Sequence, residues 1–225
     1  MLKDFISSVS IFENLNDTVL EEISSLVSER QYPKGSMIIL EEEFGDIVFI
    51  IKKGTVKITR VNDEGKEVIL AMLGEMEVFG EMAIIDGESR SANALAQENC
   101  ELLAINSEDF INLLKNHFSV SLGLMGELAK RLRKSDQHIE ALSLSDAEHR
   151  IGVSILNLAE EIGVIRKGKV TIENLPFQQD IANMSGTSRE TVSRILKIFE
   201  DRQLILKEGH KVLIPDYLFF KKSFG

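Results

Sequence analysis

The chain has 225 residues, 44% hydrophobic and 28% charged, an ordinary globular balance without an apolar run of the roughly 20 residues that span a bilayer. Cys100 is the single cysteine, which excludes an internal disulfide and an all-cysteine zinc site built by one chain. Net charge is −10, unevenly spread: residues 146–225 carry 12 basic and 11 acidic side chains, and residues 1–145 carry 14 and 25. The first part repels a polyanion and the second tolerates one, so nucleic-acid binding there requires local placement of charge. The opening residues Met1-Leu-Lys-Asp-Phe-Ile form neither a signal-peptide core nor a cleavage site, and the expectation is a cytoplasmic protein with no membrane partner.

Residues 1–30 read as helical, with Asn16-Asp17 as a cap and Val19, Leu20, Ile23 and Leu26 on one face. From Gln31 the pattern changes. Glycines at 35, 45, 54, 65 and 74 separate the short β-rich stretches Ser36–Leu40, Ile47–Ile51, Thr55–Val61 and Glu67–Met72. Short strands at this spacing predict an all-β roll, with Asn62-Asp63-Glu64-Gly65 as a hairpin turn. A second β stretch runs from Ser91 to Ile105. After the cap and acidic turn Ser107-Glu108-Asp109 the helical period returns, and a long helix is predicted over about Val120–Leu144. Phe118, Ser121, Met125, Leu128, Leu132, Ser135, Ile139 and Leu142 recur at spacings of three and four, a heptad seam that predicts pairing of two copies. Packing of this helix on its own roll is the other reading. A further helix begins at Ser145-Asp146 and runs to Glu161.

The segment 176–205 carries the clearest chemistry. A short helix, Gln178–Met184, meets a turn at Gly186, and a second helix follows with Thr187 or Ser188 as cap. In the second helix Val192, Ile195, Leu196 and Phe199 can face inward, while Arg189, Glu190, Ser193, Arg194 and Lys197 face outward. First-turn residues of such a helix reach base edges in the major groove, where Arg suits guanine and Glu suits cytosine. The hydroxyls of Ser188 and Thr191 and the helix-start amides suit phosphates. Lys207-Glu-Gly-His-Lys211 reads as a β-hairpin wing. An ordinary charged surface helix is the competing interpretation. Ser188-Arg-Glu-Thr-Val-Ser-Arg194-Ile-Leu-Lys closely resembles the recognition helix of the cyclic-AMP receptor protein/fumarate-nitrate regulator superfamily, and the likeness extends over nearly the whole chain. The resemblance implies that Arg189, Glu190 and Arg194 read bases, that Gln179, Thr187, Ser188, Thr191, Ser193 and Lys197 complete the DNA contact, and that a homodimer recognises a TGTGA-like inverted repeat.

Residues 79–96 hold a second candidate site. Gly80 permits close backbone approach, Arg90 offers a guanidinium fork in an acidic domain, Ser91 a hydroxyl and Glu81 an acceptor for a sugar hydroxyl. By chemistry alone, a Glu81–Arg90 ion pair closing a loop fits equally well. The run Phe-Gly-Glu…Arg-Ser-Ala resembles the phosphate-binding cassette of cyclic-nucleotide-binding domains. That likeness implies Gly80 and Glu81 on the ribose side, Arg90, Ser91 and the Ala92 amide on the cyclic phosphate, Ser135 on the base, and Met82 among the binding residues. Asp136 stands where the family usually has a hydroxyl residue; a carboxylate accepts from adenine's amino group and repels guanine's carbonyl. Cyclic AMP is the expected effector.

The resulting expectation is an α+β regulator: a cupin-like jelly-roll sensor (1–118), a dimerisation helix (119–145) and a winged helix-turn-helix (146–225), with double-stranded DNA, a small-molecule effector and RNA polymerase as partners. Two rival readings carry different chemistry. Haem sensing would use one of His117, His138, His149 or His210 as an axial ligand, whereas Cys100 alone cannot hold an iron–sulfur cluster. A nucleotide-processing enzyme would need a metal cluster, a Ser/His/Asp set or a P-loop, and the sequence shows none, so no catalytic or metal-binding residue is assigned. The acidic turn Asp63–Glu67 is a solvated turn or, by resemblance, a polymerase contact.

Overall fold

The computed structural model describes residues 2–225. Three helical segments open the chain: α1 (Leu2–Ser7), a 3-10 turn (Ser10–Phe12) and α2 (Asp17–Leu26). Eight strands follow: β1 (Ser28–Tyr32), β2 (Met37–Ile39), β3 (Ile47–Lys53), β4 (Val56–Val61), β5 (Glu67–Leu73), β6 (Val78–Phe79), β7 (Asn93–Ala96) and β8 (Cys100–Asn106), with α3 (Met82–Asp86) between β6 and β7. They form two four-stranded sheets, ordered β1-β8-β3-β6 and β2-β7-β4-β5. Successive side chains of β3 point to opposite faces. Val48 and Ile50 enter a cluster with Ile6, Phe12, Ile23 and Phe110 of the helices, while Phe49 stacks on Phe79 at 5.3 Å. Burial on both faces explains why this strand reads as a continuous apolar run.

Residues 28–30 are strand, which corrects the helical reading of 1–30. Asn16 does cap α2, its side chain accepting from Val19 N at 3.0 Å, but α2 ends at Leu26. β1 exists through its pairing with β8, from Ser28 opposite Ala104 to Tyr32 opposite Cys100.

The second half contains α4 (Ser107–Asn116), α5 (Phe118–Leu144), α6 (Ala147–Glu161), β9 (Val164–Arg166), β10 (Lys169–Ile172), α7 (Gln178–Ser185), α8 (Arg189–Asp201), β11 (Leu206–Glu208), β12 (Lys211–Ile214) and α9 (Tyr217–Phe224). Strands β9–β12 make a third sheet, ordered β11-β12-β10-β9. At 27 residues, α5 is about 40 Å long. Val120 and Leu124 are its buried residues on the roll side, whereas Phe118, Met125, Leu132 and Ile139, spaced by sevens, remain exposed.

The chain divides into two compact units within α5. One comprises residues up to Arg60 with Leu73–Arg133; the other comprises Val61–Met72 with Lys134–Gly225. The core of the second unit gathers Ile151 and Ile155 of α6, Ile181 of α7, Phe199 of α8, Val212 of β12 and Phe220 of α9, together with Ile69 and Met72 of the β4–β5 hairpin. No helix among the described residues is long and apolar enough to cross a membrane.

Candidate effector cassette and nucleic-acid interface

The cassette begins where β6 ends. Gly80 has φ +80°, and a Cβ there would lie 2.9 Å from Arg90 Nη1 and 3.2 Å from the Ile47 carbonyl, so glycine is required by both backbone and space. Gly45 is constrained by space alone: its Cβ would fall 1.9 Å from Arg90 Nε. The Arg90 guanidinium therefore lies flat on backbone. It donates to the Gly80 carbonyl and to the Ile47 carbonyl at 2.8 Å, and the residue is 7% exposed. Its main chain is pinned as well, Arg90 N donating to Glu43 O and Glu42 N to Arg90 O, both at 2.9 Å. Burial pulls the guanidinium pKa below its ordinary value, with Asp46 and Glu81 opposing the shift. Two of five N–H donors are occupied by carbonyls, and the fork keeps donor capacity for an anion. Ser91, the next residue, is exposed, Ala92 half-buried and Met82 exposed.

Glu81 is not paired with Arg90, which removes the loop-closing ion pair as an account of this segment. Its carboxylate is buried and meets Arg131 of α5, Oε1 to Nη1 at 2.9 Å. Arg131 also donates to the Val78 carbonyl, at the start of β6. Burial raises the Glu81 pKa, while Arg131 holds it down. Arg131 Nε is buried without a hydrogen-bond partner and sits 3.8 Å from Glu127 Oε1. The sequence reading missed Arg131 because its partner is 50 residues away, and the only local hint is a charged pair four residues apart, Glu127 and Arg131. Ser135 and Asp136 lie on the part of α5 belonging to the second unit, both exposed.

In the helix-turn-helix, α7 is closed by Gly186 in the left-handed region (φ 58°), and α8 is capped by Ser188, whose Oγ accepts from Thr191 N at 3.2 Å. Ser188, rather than Thr187, is thus the cap. Val192, Ile195, Leu196 and Phe199 are buried as the face division predicts. Arg189, Glu190, Ser193, Arg194 and Lys197 line an open groove of about 530 Å³ together with Gln178 of α7. The helix-start amide of Glu190 and the Ser188 hydroxyl hold the Glu190 carboxyl below the usual carboxylate range. Lys197 makes an exposed ion pair with Asp201 at 3.1 Å. Gln179 points along α7, bonding Asn183 at 2.9 Å, and Gln178 takes the groove position.

Arg150, which the sequence reading did not single out, ties the motif to α6. It donates to the Ser185 carbonyl at 2.9 Å and the Ser145 carbonyl at 2.8 Å, while buried Ser185 Oγ meets Ser154 Oγ at 2.8 Å. The wing turns at Gly209-His210. Leu175 N donates to His210 O at 2.7 Å, and the His210 ring meets Phe177 edge-on at 5.2 Å, fixing the wing beside the start of α7.

Residues 29–117 match the cyclic nucleotide-binding domain and residues 149–218 the Crp-like helix-turn-helix domain. The cyclic AMP receptor protein of Thermus thermophilus is 33% identical over 195 residues, 87% of each chain. The chain belongs to the cyclic AMP receptor protein family. It is a ligand-responsive, DNA-binding transcription regulator with a cyclic-nucleotide-binding domain and a Crp-like reading head. Among solved structures, FixK2 of Bradyrhizobium japonicum superposes with a TM-score of 0.78 at 20% identity, covering 88% of this chain and 98% of its own. The c-di-GMP responsive regulator CLP of Xanthomonas campestris superposes at 0.70 with 22% identity, covering 88% and 99%. These likenesses bear on fold alone. Arg90 is buried on backbone and Arg189 is open to solvent.

Proposed function

We propose that this regulator is non-enzymatic, takes cyclic AMP as effector, and binds a TGTGA-like inverted repeat as a homodimer. The observation that carries the effector is Arg90: a buried guanidinium held by two backbone carbonyls with N–H donors to spare, followed in the chain by the exposed Ser91 and the half-buried Ala92. That is a fixed fork for a cyclic phosphate. Gly80 permits the approach and Glu81 stands on the ribose side. The cyclic AMP in the name of the Thermus relative favours this nucleotide. CLP is described as responsive to another nucleotide, so fold likeness by itself does not choose the effector.

Homodimer formation is supported by the exposed heptad stripe of Phe118, Met125, Leu132 and Ile139, apolar surface that a second copy of α5 would cover. A two-fold pair of α8 helices would then meet major-groove faces roughly 34 Å apart. Effector control requires that cyclic AMP bind the DNA-competent arrangement more tightly than the incompetent one. RNA polymerase is a proposed partner through the turn at Asp63–Glu67, exposed from Asp63 to Lys66. The test is a titration of full-length protein with cyclic AMP and cyclic GMP by calorimetry. Saturable binding of cyclic AMP that Arg90→Ala abolishes supports the reading; cyclic AMP affinity unchanged in Arg90→Ala overturns it.

A further inference from the structure

Helix α6 ends on Glu160 and Glu161, with no cation in its last turn. Two carboxylates there face the negative end of the helix dipole, where a lysine or arginine would stabilise. Long-range partners offset the placement, all within the C-terminal unit. Glu160 accepts from Lys221 at 2.7 Å and from Tyr217 at 3.0 Å, both on α9. The Glu161 side chain is buried, at 9% exposed. Its Oε1 lies 3.3 Å from Lys134 Nζ on α5, and its Oε2 accepts from the Met72 amide on β5 at 3.4 Å. One carboxylate thus joins α6, α5 and the β4–β5 hairpin, whose Met72 is buried in the same core as Phe199 of α8.

A buried pair of this kind is a poor source of stability, since apolar residues of similar volume often serve as well or better. What it fixes is position. Lys134 is followed by Ser135, Ile139 and Leu142, seam positions on the same stretch of α5. Helix α6 in turn holds the reading head: Arg150 donates to the Ser185 carbonyl at 2.9 Å, and Ile151 and Ile155 share a core with Phe199. We propose that Glu161 is a positioning residue for DNA reading: its ionised carboxylate clasps α6 to the seam helix and to β5, and protonating it frees α6 to shift. This rests on the pairing through α5 proposed above, because two α8 helices meet successive grooves only if each is held at a fixed distance from the seam. Freedom at the junction must be given up on binding DNA, which weakens the complex.

Burial raises the Glu161 pKa above its ordinary 4.5, and Lys134 opposes the rise. Ionisation, and the clasp with it, is lost as pH falls through the folded value. The charged groups facing Glu161 are Lys134 from α5 and Glu160 from α6; β5 contributes the Met72 amide, and Lys221 and Tyr217 of α9 act through Glu160. His138, one turn beyond Lys134 on α5, also titrates, and burial lowers its pKa. Protonation of other carboxylates works in the opposite sense on DNA, because it lessens the repulsion of a polyanion.

The test uses full-length protein and a labelled duplex that the wild type selects from a randomised pool, with anisotropy read at about pH 7.5 and about pH 5. Glu161→Gln, which copies the protonated carboxyl, should bind about fivefold or more weakly than wild type at the upper pH and within about twofold at the lower. Lys134→Met, the second variant should Glu161→Gln fail to fold, should converge with wild type in the same way. The double variant should lose no more than either single one, and His138→Gln should leave the pattern intact. Affinities equal to wild type at both pH values, or a loss in Glu161→Gln that is the same at both, overturn the clasp, as does a pH pattern that His138→Gln abolishes. Sedimentation separates the clasp from the pairing beneath it: a monomeric wild type sinks the α5 pairing and the clasp with it, whereas a dimeric wild type that Glu161→Gln matches in DNA affinity sinks the clasp alone.

Discussion

At the scale of single residues, two arginines sit in opposite environments. Arg189 is exposed at the first turn of α8, so removing it leaves no buried group unsatisfied. Arg189→Ala should cost about 1–3 kcal/mol on the cognate half-site and relax the choice of its guanine. Competition binding across single-base operator variants measures this, and an equal loss on every sequence would make Arg189 a phosphate contact. Arg131 is the reverse case, because Glu81 is buried against it. Burial raises the Glu81 pKa above its ordinary 4.5 and Arg131 opposes the rise. A carboxyl with a raised folded pKa favours the folded state below its unfolded value, and that contribution is lost as pH climbs through the folded value. Arg131→Ala removes the opposing cation and widens this window upward. It should therefore destabilise more at about pH 7 than at about pH 5, by on the order of 2–3 kcal/mol at neutrality, the low end for a broken buried pair because Arg131 keeps solvent contact. Thermal melts at both pH values, repeated on a Glu81→Gln background where the difference should vanish, check it; equal destabilisation at both would refute the coupling. Arg90 and Glu81 were legible from their local motif. Arg131 and Arg150 were not, since a sequence does not show which carbonyl or carboxylate a distant guanidinium reaches.

Among the elements, those with strong period or caps were readable and those made by long-range pairing were not. The face division of α8 and the caps at Asn16 and Ser188 follow from residue type at fixed spacing. β1 has four exposed residues of five and no alternation, so only β8 makes it a strand. The β9–β10 hairpin went unread because its turn uses Lys167 and Gly168, at φ 51° and 77°, in place of the usual Asn-Gly. Helix α9 is anchored by Phe224, which lies where a Cβ on Gly152 of α6 would be, 2.2 Å from Phe224 Cδ1. Gly152→Ala should destabilise the protein by about 1–3 kcal/mol through overpacking, although alanine favours a helix interior by about 1 kcal/mol. Chemical denaturation measures the sign, and a stabilised variant would show that α9 yields freely. On α5, Leu132→Asp should convert the protein to a monomer in sedimentation analysis and abolish operator binding at concentrations that saturate the wild type. A dimer that survives this change would place the interface elsewhere.

For the molecule as a whole, composition indicated an acidic sensing half and a near-neutral reading half, and the two compact units keep that contrast except for the β4–β5 hairpin, whose Ile69 and Met72 join the C-terminal core. Nothing in the local pattern of Val61–Met72 says which core it will enter. With so little net positive charge in the reading half, affinity rests on a few placed cations, and the salt dependence of operator binding should be correspondingly shallow for a two-fold DNA reader. The central claim is that occupancy of the Arg90 cassette controls DNA reading by α8. Its most direct measurement is anisotropy of a labelled TGTGA inverted repeat titrated with the full-length protein, with and without saturating cyclic AMP. At least a tenfold gain in affinity with the nucleotide, absent with cyclic GMP and absent in Arg90→Ala, is the predicted result; an operator affinity indifferent to cyclic AMP, or equally enhanced in Arg90→Ala, would contradict it.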